Sequence, residues 1–223
     1  MKRQMRKAPL FAAILLVCAN TFAHARSSSN TSQAAQAAPQ QSLAHDHHDG
    51  LDVSADPYTD GERAKKKFGK ANPIPAGILP VEVFLRNELD QPIKIDLSTI
   101  QLEVRPPEGQ RQDIDSLSAA EVAQRLAHPE GAGAPSTRRF PPIGLPNFGD
   151  KKVDAMADIL RPLSLDSDVV PPSGSIHGFI YFDMNHQISL VRHASLYVPD
   201  ATLIPSKTAL MFFEVSLEGA GEP

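Results

Sequence analysis

The sequence predicts a mainly β protein: a β-sandwich with a short N-terminal helix and a helical and loop insertion in the middle. Three observations predict it. Pro accounts for 20 of the 223 residues, a density that excludes a helical bundle, since an interior Pro costs a helix about 3 kcal/mol. Several short segments alternate apolar and polar side chains with the two-residue period of a half-buried strand. One segment, Ile176 to Met184, is apolar on both faces, as a central strand covered on both sides would be. At 41% hydrophobic residues the chain can also build a packed core.

The N-terminus reads as an export signal. Lys2, Arg3, Arg6 and Lys7 precede a short apolar run, Ala8 to Val17, and Ala23-His24-Ala25 places small residues where signal peptidase reads them. Residues 1–25 are therefore expected to be a signal peptide, cleaved after Ala25. The run falls well short of the ~20 residues a membrane-spanning helix needs. Leu15-Leu16-Val17-Cys18 offers the competing account, a lipoprotein site with Cys18 carrying lipid, although Val17 stands where that pattern wants Gly, Ala or Ser. Cleavage after Ala25 discards the only Cys, which excludes disulfides, thiol catalysis and Cys-based zinc sites. It also removes four basic charges, taking the formal charge from −4 to −8. Such an acidic chain is a poor partner for nucleic acid or an anionic membrane. The expected location is periplasmic or secreted, with no transmembrane helix in the mature chain and lipid anchoring through Cys18 as the alternative.

Residues 26–55 are rich in Ser, Ala, Gln, Asn and His without apolar periodicity, and are expected to form a disordered linker. The folded domain is expected over 56–223. Thr59-Asp60-Gly61-Glu62 has capping-box spacing with Thr59 as N-cap, so a helix should run to Phe68, with Gly69 beyond it and Lys65-Lys66-Lys67 in the last turn. Val81, Val83 and Leu85 then share one strand face. Asn87 to Pro92 is a turn cluster. Ile93, Ile95 and Leu97 share a face, as do Ile100, Leu102 and Val104, and the change of parity between the two sets predicts a bulge or bend at Ser98-Thr99.

The stretch 107–168 reads as the insertion. Ser118 to Glu121 is a second capping box, with Leu117 and Val122 placed for a hydrophobic staple, and its helix should end near Ala127. Residues 128–150 carry a Pro- and Gly-rich loop. A third helix follows Asp150, with Val153, Met156, Ala157 and Leu160 on one face and Pro162 as its stop. Strands return with Ile176 to Met184, weakly with Ile188 to Val198, and with the alternating set Ala209, Met211, Phe213, Val215 and Leu217.

Two stretches together carry a resemblance. The first is Ile78-Leu79-Pro80-Val81-Glu82-Val83-Phe84-Leu85-Arg86-Asn87, followed by Pro92-Ile93-Lys94-Ile95. The second is Pro171-Pro172-Ser173-Gly174-Ser175, leading into Gly178-Phe179-Ile180-Tyr181-Phe182. Together they resemble small exported bacterial proteins with an immunoglobulin-like β-sandwich. The chain departs from antibody-type domains in lacking the Cys pair and the buried Trp. The resemblance covers about half the chain, implies a fold and brings no catalytic residue with it.

The most unusual local feature is His45-Asp46-His47-His48-Asp49. Imidazole and carboxylate together suit Zn²⁺ or Cu²⁺, but on a flexible segment binding must order the chain and is weak. The other account is a solvated His-rich linker. Beyond such weak metal binding no cofactor is expected. Asp183 and His186, with His177 and His193 nearby in sequence, could converge in a pocket or stand as separate polar residues. Ser175 and His177 would share a strand face without an acid to orient the His. Arg138-Arg139-Phe140, in the long loop, could meet an acidic partner or simply be solvated. The absence of Trp disfavours carbohydrate stacking. The sequence therefore points to a non-catalytic exported binding or envelope-associated module. Its partner would be a protein or envelope component, bound by the 128–150 loop or by strand addition. The alternative is a periplasmic metal-handling protein using residues 45–49.

Overall fold

Among the described residues the chain first reverses at Asp49-Gly50. The computed structural model describes residues 43–129 and 150–219, all within one unit, Gln40–Pro223. Strands β1 (Ala44–His48) and β2 (Leu51–Pro57) pair as a hairpin whose last rung is His48 opposite Leu51. Asp49 (φ 50°) and Gly50 (φ 77°) are both left-handed, as a two-residue type I′ turn requires. A Cβ on Gly50 would lie 2.4 Å from the Leu89 side chain. This corrects the linker expectation for the part of 26–55 that is described. Leu51, Val53 and Ala55 are fully buried and alternate with half-buried Asp52, Ser54 and Asp56. The Ser/Ala/Gln bias upstream masked that period of two.

Helix α1 (Gly61–Phe68) lies where expected, but its N-cap is Asp60, not Thr59. The Asp60 carboxylate accepts from both the Glu62 and Arg63 N–H groups, at 2.9 and 3.4 Å. Strand β3 (Ile78–Asn87) follows, with Val81, Val83 and Leu85 fully buried. Strands β4 (Ile93–Ile95) and β5 (Gln101–Val104) are separated by a 3₁₀ turn, Leu97–Thr99, capped by Asp96. The parity switch there marks passage from one sheet to another, not a bulge within one strand. The Ser98 hydroxyl and backbone N–H both donate to Asp96 and hold its pKa below the usual carboxylate value.

Strand β6 (Gln112–Leu117) corrects the insertion boundary, because part of 107–168 belongs to the main sheet. Helix α2 (Ala119–Ala127) starts on the expected capping box, Ser118 with Glu121, and α3 (Lys151–Leu160) starts on Asp150. Strands β7 (Val169–Val170), β8 (Ser175–Asp183), β9 (Ala194–Val198), β10 (Ala201–Leu203) and β11 (Phe213–Ser216) complete the chain. Ala209 and Met211 fall outside β11, and Met211 is exposed.

The chain is mainly β. Eight strands form one antiparallel sheet in the order β1-β2-β3-β8-β6-β5-β9-β11, and β10-β4-β7 form a second. The two edges of the large sheet, β1 and β11, meet, so it nearly closes into a barrel. Inside lie Leu51, Val83, Phe182, Leu196 and Phe213, joined by Ile93, Ile95 and Val170 from the small sheet. A second apolar cluster covers the outer face of β3 and β8, where Phe68, Val122, Leu160, Phe179 and Tyr181 pack together. β8 is thus buried on both faces, as its sequence predicts. Gly178 permits a close approach at the edge of β8. Ser164 bridges Phe179 there in parallel, with the Leu165 N–H donating to the Phe179 carbonyl at 3.0 Å. A Cβ on Gly178 would stand 2.5 Å from the Leu165 nitrogen.

Candidate functional site

The His/Asp cluster lies on β1 and its turn, and the period of the strand divides it. His45 and His47 point outward, exposed. His47 Nε2 lies 3.3 Å from Glu88 Oε2. Asp46, His48 and Asp49 instead close the barrel. Asp46 accepts the Glu214 N–H at 3.0 Å and Asp49 accepts the Met211 N–H at 3.2 Å. His48 Nε2 meets the Phe212 carbonyl at 3.1 Å. As one strand advances the other retreats, so the seam is antiparallel, joined by side chains where a ladder would use backbone. The His48 ring stacks on Phe213 at 3.9 Å. Its Nδ1 is buried without a hydrogen-bond partner among the described residues. Among the described residues, no three His, Cys, Asp or Glu side chains are grouped to hold a metal. Asp46→Ala is expected to lower stability by about 1–3 kcal/mol by orphaning the Glu214 N–H. Urea unfolding measures the loss, and faster amide exchange at Glu214 locates it.

The second set does not converge. His177 and Asp183 stand at opposite ends of β8, about 20 Å apart at the rise of a strand. His177 stacks on its cross-strand neighbour Phe84, at 5.5 Å. His193 ends a 3₁₀ turn whose carbonyl there accepts the Arg105 N–H at 2.8 Å. Asp183 is held by the Arg125 guanidinium from α2. Ser175 lies opposite Arg86 in the ladder. Cys18, residues 1–42 and Arg138-Arg139-Phe140 lie outside the described residues. The stems of the long loop are described: His128 Nε2 is 2.6 Å from Asp150 Oδ2. The Asp150 pKa is lowered first by the Lys152 N–H it caps and then by His128.

Two buried carboxylates that sequence reading did not single out proved to be structural clasps. Glu82 is 9% exposed, accepts from the Tyr58 hydroxyl at 2.9 Å and from Lys67 at 3.5 Å, and so fastens α1 to β3. Arg63 forks onto Asp56 and lies 3.7 Å over the Tyr58 ring. Burial, then the Glu82 hydrogen bond and charge, push the Tyr58 pKa up to about 12, and burial does the same to Tyr181. Both values exceed the unfolded value of about 10. The stability these phenols contribute is therefore complete below about pH 10 and lost as pH rises through about 12. Unfolding midpoints are expected to fall over that interval, and less steeply in Tyr58→Phe. Glu103, 3% exposed, is gripped by Arg105 at 2.7 Å and by Arg111.

The remaining candidate is a cleft in the barrel wall. β6 pairs with β5 along Gln112–Asp115 but with β8 only at Ser116 and Leu117. Below those rungs the strands splay. The opening, about 300 Å³, is lined by Val104, Ile114, Met184 and Leu190 on its apolar side and by Gln112, Asp183, Asn185 and Gln187 on its polar side. β8 cannot follow β6 because the chain turns away at Asn185 (φ 46°) and His186 (φ 64°). The Met184 N–H is drawn to the Gly77 carbonyl at 2.9 Å on the other flank. In an antiparallel strand, alternate residues aim their N–H and C=O to opposite sides. About half of Gln112–Asp115 thus present backbone groups to the cleft. No signal in the sequence marks this site beyond the weak alternation of Asp113, Ile114 and Asp115. No protein-family model, curated protein or solved structure matches the chain.

Proposed function

We propose that the chain is a non-catalytic, exported binding or envelope-associated module that engages a protein or envelope component at the β6–β8 cleft. The cleft is the observation that carries this reading. It joins an apolar wall to neutral amides and to the part of β6 that β8 does not pair with, and its one carboxylate, Asp183, is already held by Arg125. Recognition without chemistry needs no more than that. Export to the periplasm or beyond rests on the pattern of residues 1–25. The immunoglobulin-like sandwich is retained as the fold relationship of the body, supported by the turn around Asn87 and Pro171. Among the described residues no helix is long and apolar enough to cross a membrane.

The test expresses the full chain in bacteria, releases the periplasm by osmotic shock and measures the mass of the product. A chain beginning at Arg26 is expected. An intact leader in the cytosol overturns the export reading, and a lipid-modified Cys18 replaces it with an anchored form. The released protein, immobilised, is expected to retain an envelope component that Gln187→Trp, whose indole fills the cleft, does not. Equal retention by both overturns the site.

A second reading, metal handling, is favoured by one observation: His45 and His47 lie on the same exposed face of β1 beside Glu88. Titration calorimetry with Zn²⁺ and Cu²⁺ decides it. Binding abolished by His45→Ala with His47→Ala supports it, and no heat in the wild type ends it.

A further inference from the structure

We infer that the outer face of β5, β9 and β11 binds a neutral oligosaccharide chain, stacked on Tyr197 and Phe212 and hydrogen-bonded along the row Asp115-Gln101-Tyr197-Glu214. This site is separate from the β6–β8 cleft. Strand register builds it. Gln101 lies opposite Asp115 on one side and Tyr197 on the other, and Tyr197 lies opposite Glu214. The neighbouring rung, Leu102, Leu196 and Val215, is fully buried in the barrel, so the period of two turns the first row outward. The helices gather over β3 and β8 instead. Phe212, two residues before Glu214, is 49% exposed and Met211 is 63% exposed. The Phe212 ring stands 5.6 Å from that of Tyr197, with the planes inclined by 48°.

Two accessible rings side by side, in a chain without Trp, give a pyranose an apolar surface to stack on. Their inclination suits successive sugars of one chain, which are rotated about the linkage that joins them. The sugar hydroxyls then meet groups already set in donor–acceptor pairs. Gln101 Nε2 donates to Asp115 Oδ1 at 2.9 Å, and Arg105 Nη1 lies 3.3 Å from Glu214 Oε1. A hydroxyl can accept from one member of such a pair and donate to the other, and its bonds to the charged members are the stronger ones. The Tyr197 hydroxyl, on the same row, makes no hydrogen bond with another described residue. Other occupants fit less well. A protein would have to desolvate these pairs at the core of its interface, where charge is depleted. An anionic lipid surface would meet Asp49, which holds the Met211 N–H, and Glu214 beside the two rings.

The probes are the soluble oligomers cellohexaose and maltohexaose, titrated into isotopically labelled protein recovered from expressing cells. Saturable amide shifts are expected with at least one of them, concentrated at Gln101, Tyr197 and Phe212 to Glu214. Phe212→Ala should weaken binding about 10-fold, because the stacking face is lost. Phe212→Trp should retain it, which separates loss of the ring from loss of the fold. Glu214→Gln should weaken it about 3-fold, since a charge-assisted bond becomes a neutral one. Gln187→Trp, which fills the cleft, is expected to leave glucan binding unchanged, so either site can fail alone. No shift with either oligomer overturns the inference. So do equal binding by Phe212→Ala and shifts gathered at Gln112 and Gln187. Pelleting with phosphatidylglycerol vesicles, or a concentration-dependent dimer, that Phe212→Ala abolishes while the glucans bind nowhere would assign the face to a lipid surface or to a second copy, and overturns it as well.

Discussion

Phe179→Ala is expected to lower the unfolding free energy by about 3–5 kcal/mol. Phe179 is 2% exposed. Its ring meets Phe68 at 4.8 Å, Tyr58 at 4.9 Å and Tyr181 at 6.5 Å, and Lys67 stands 5.1 Å above it. The residue therefore joins α1 to β8 at the centre of the outer cluster. Removing the ring leaves a cavity that fixed neighbours on the strand cannot collapse into. Urea denaturation measures the loss. Hydrogen exchange should show α1 opening before the barrel strands, because the inner core of Leu51, Val83 and Phe182 is a separate cluster. Uniform loss of protection in both layers would show the two clusters to be one cooperative unit.

Asn87→Ala is expected to cost about 2–4 kcal/mol, from unmet hydrogen bonds and not from lost volume. Asn87 is 1% exposed. Its amide nitrogen donates to the carbonyls of Gln91 at 2.8 Å and Pro171 at 3.1 Å, and its oxygen accepts the Leu89 N–H at 2.9 Å. Its own backbone N–H donates to the Gly174 carbonyl at 2.8 Å. One side chain thus ties the 87–92 turn to the Pro171–Gly174 turn. Asn87→Asp is the sharper comparison. It keeps the acceptor for Leu89, but turns the donor into an oxygen facing two carbonyls in a buried site. A loss at least as large as that of Asn87→Ala is expected from thermal denaturation. A near-neutral Asn87→Asp would mean that the turns are held by their backbones alone.

Legibility in the sequence followed the range of the interaction. The Ser118 capping box, the Asp150 cap, Gly69 after α1 and the two-faced run of β8 were all readable, because each depends on neighbours within a few residues. The 44–57 hairpin was readable too. Asp49-Gly50 between His48 and Leu51 is a turn signal, and Leu51, Val53 and Ala55 alternate behind it. The Ser, Ala and Gln bias of the residues before it obscures that period. β6 carries one half-buried Ile between two Asp residues, a pattern that does not separate an exposed strand from a loop. Nothing in the sequence marks the partners that Asp46 and Asp49 meet across the barrel seam. The backbone N–H groups they bind belong to residues more than 160 positions away.

Local chemistry by itself determined the mainly β character, the helices at 61–68, 119–127 and 151–160, the capping box of the second, and the double burial of β8, since periodicity and capping are written into consecutive side chains. Tertiary structure decided which strand lies beside which, and three consequences followed. It turned Asp46, His48 and Asp49 into a barrel seam and left His45 and His47 exposed. It left His177 and Asp183 far apart along β8. It opened the cleft where β6 parts from β8. Those outcomes depend on where the chain returns after a long excursion, and the period of a strand says which face a side chain takes but not which neighbour it meets.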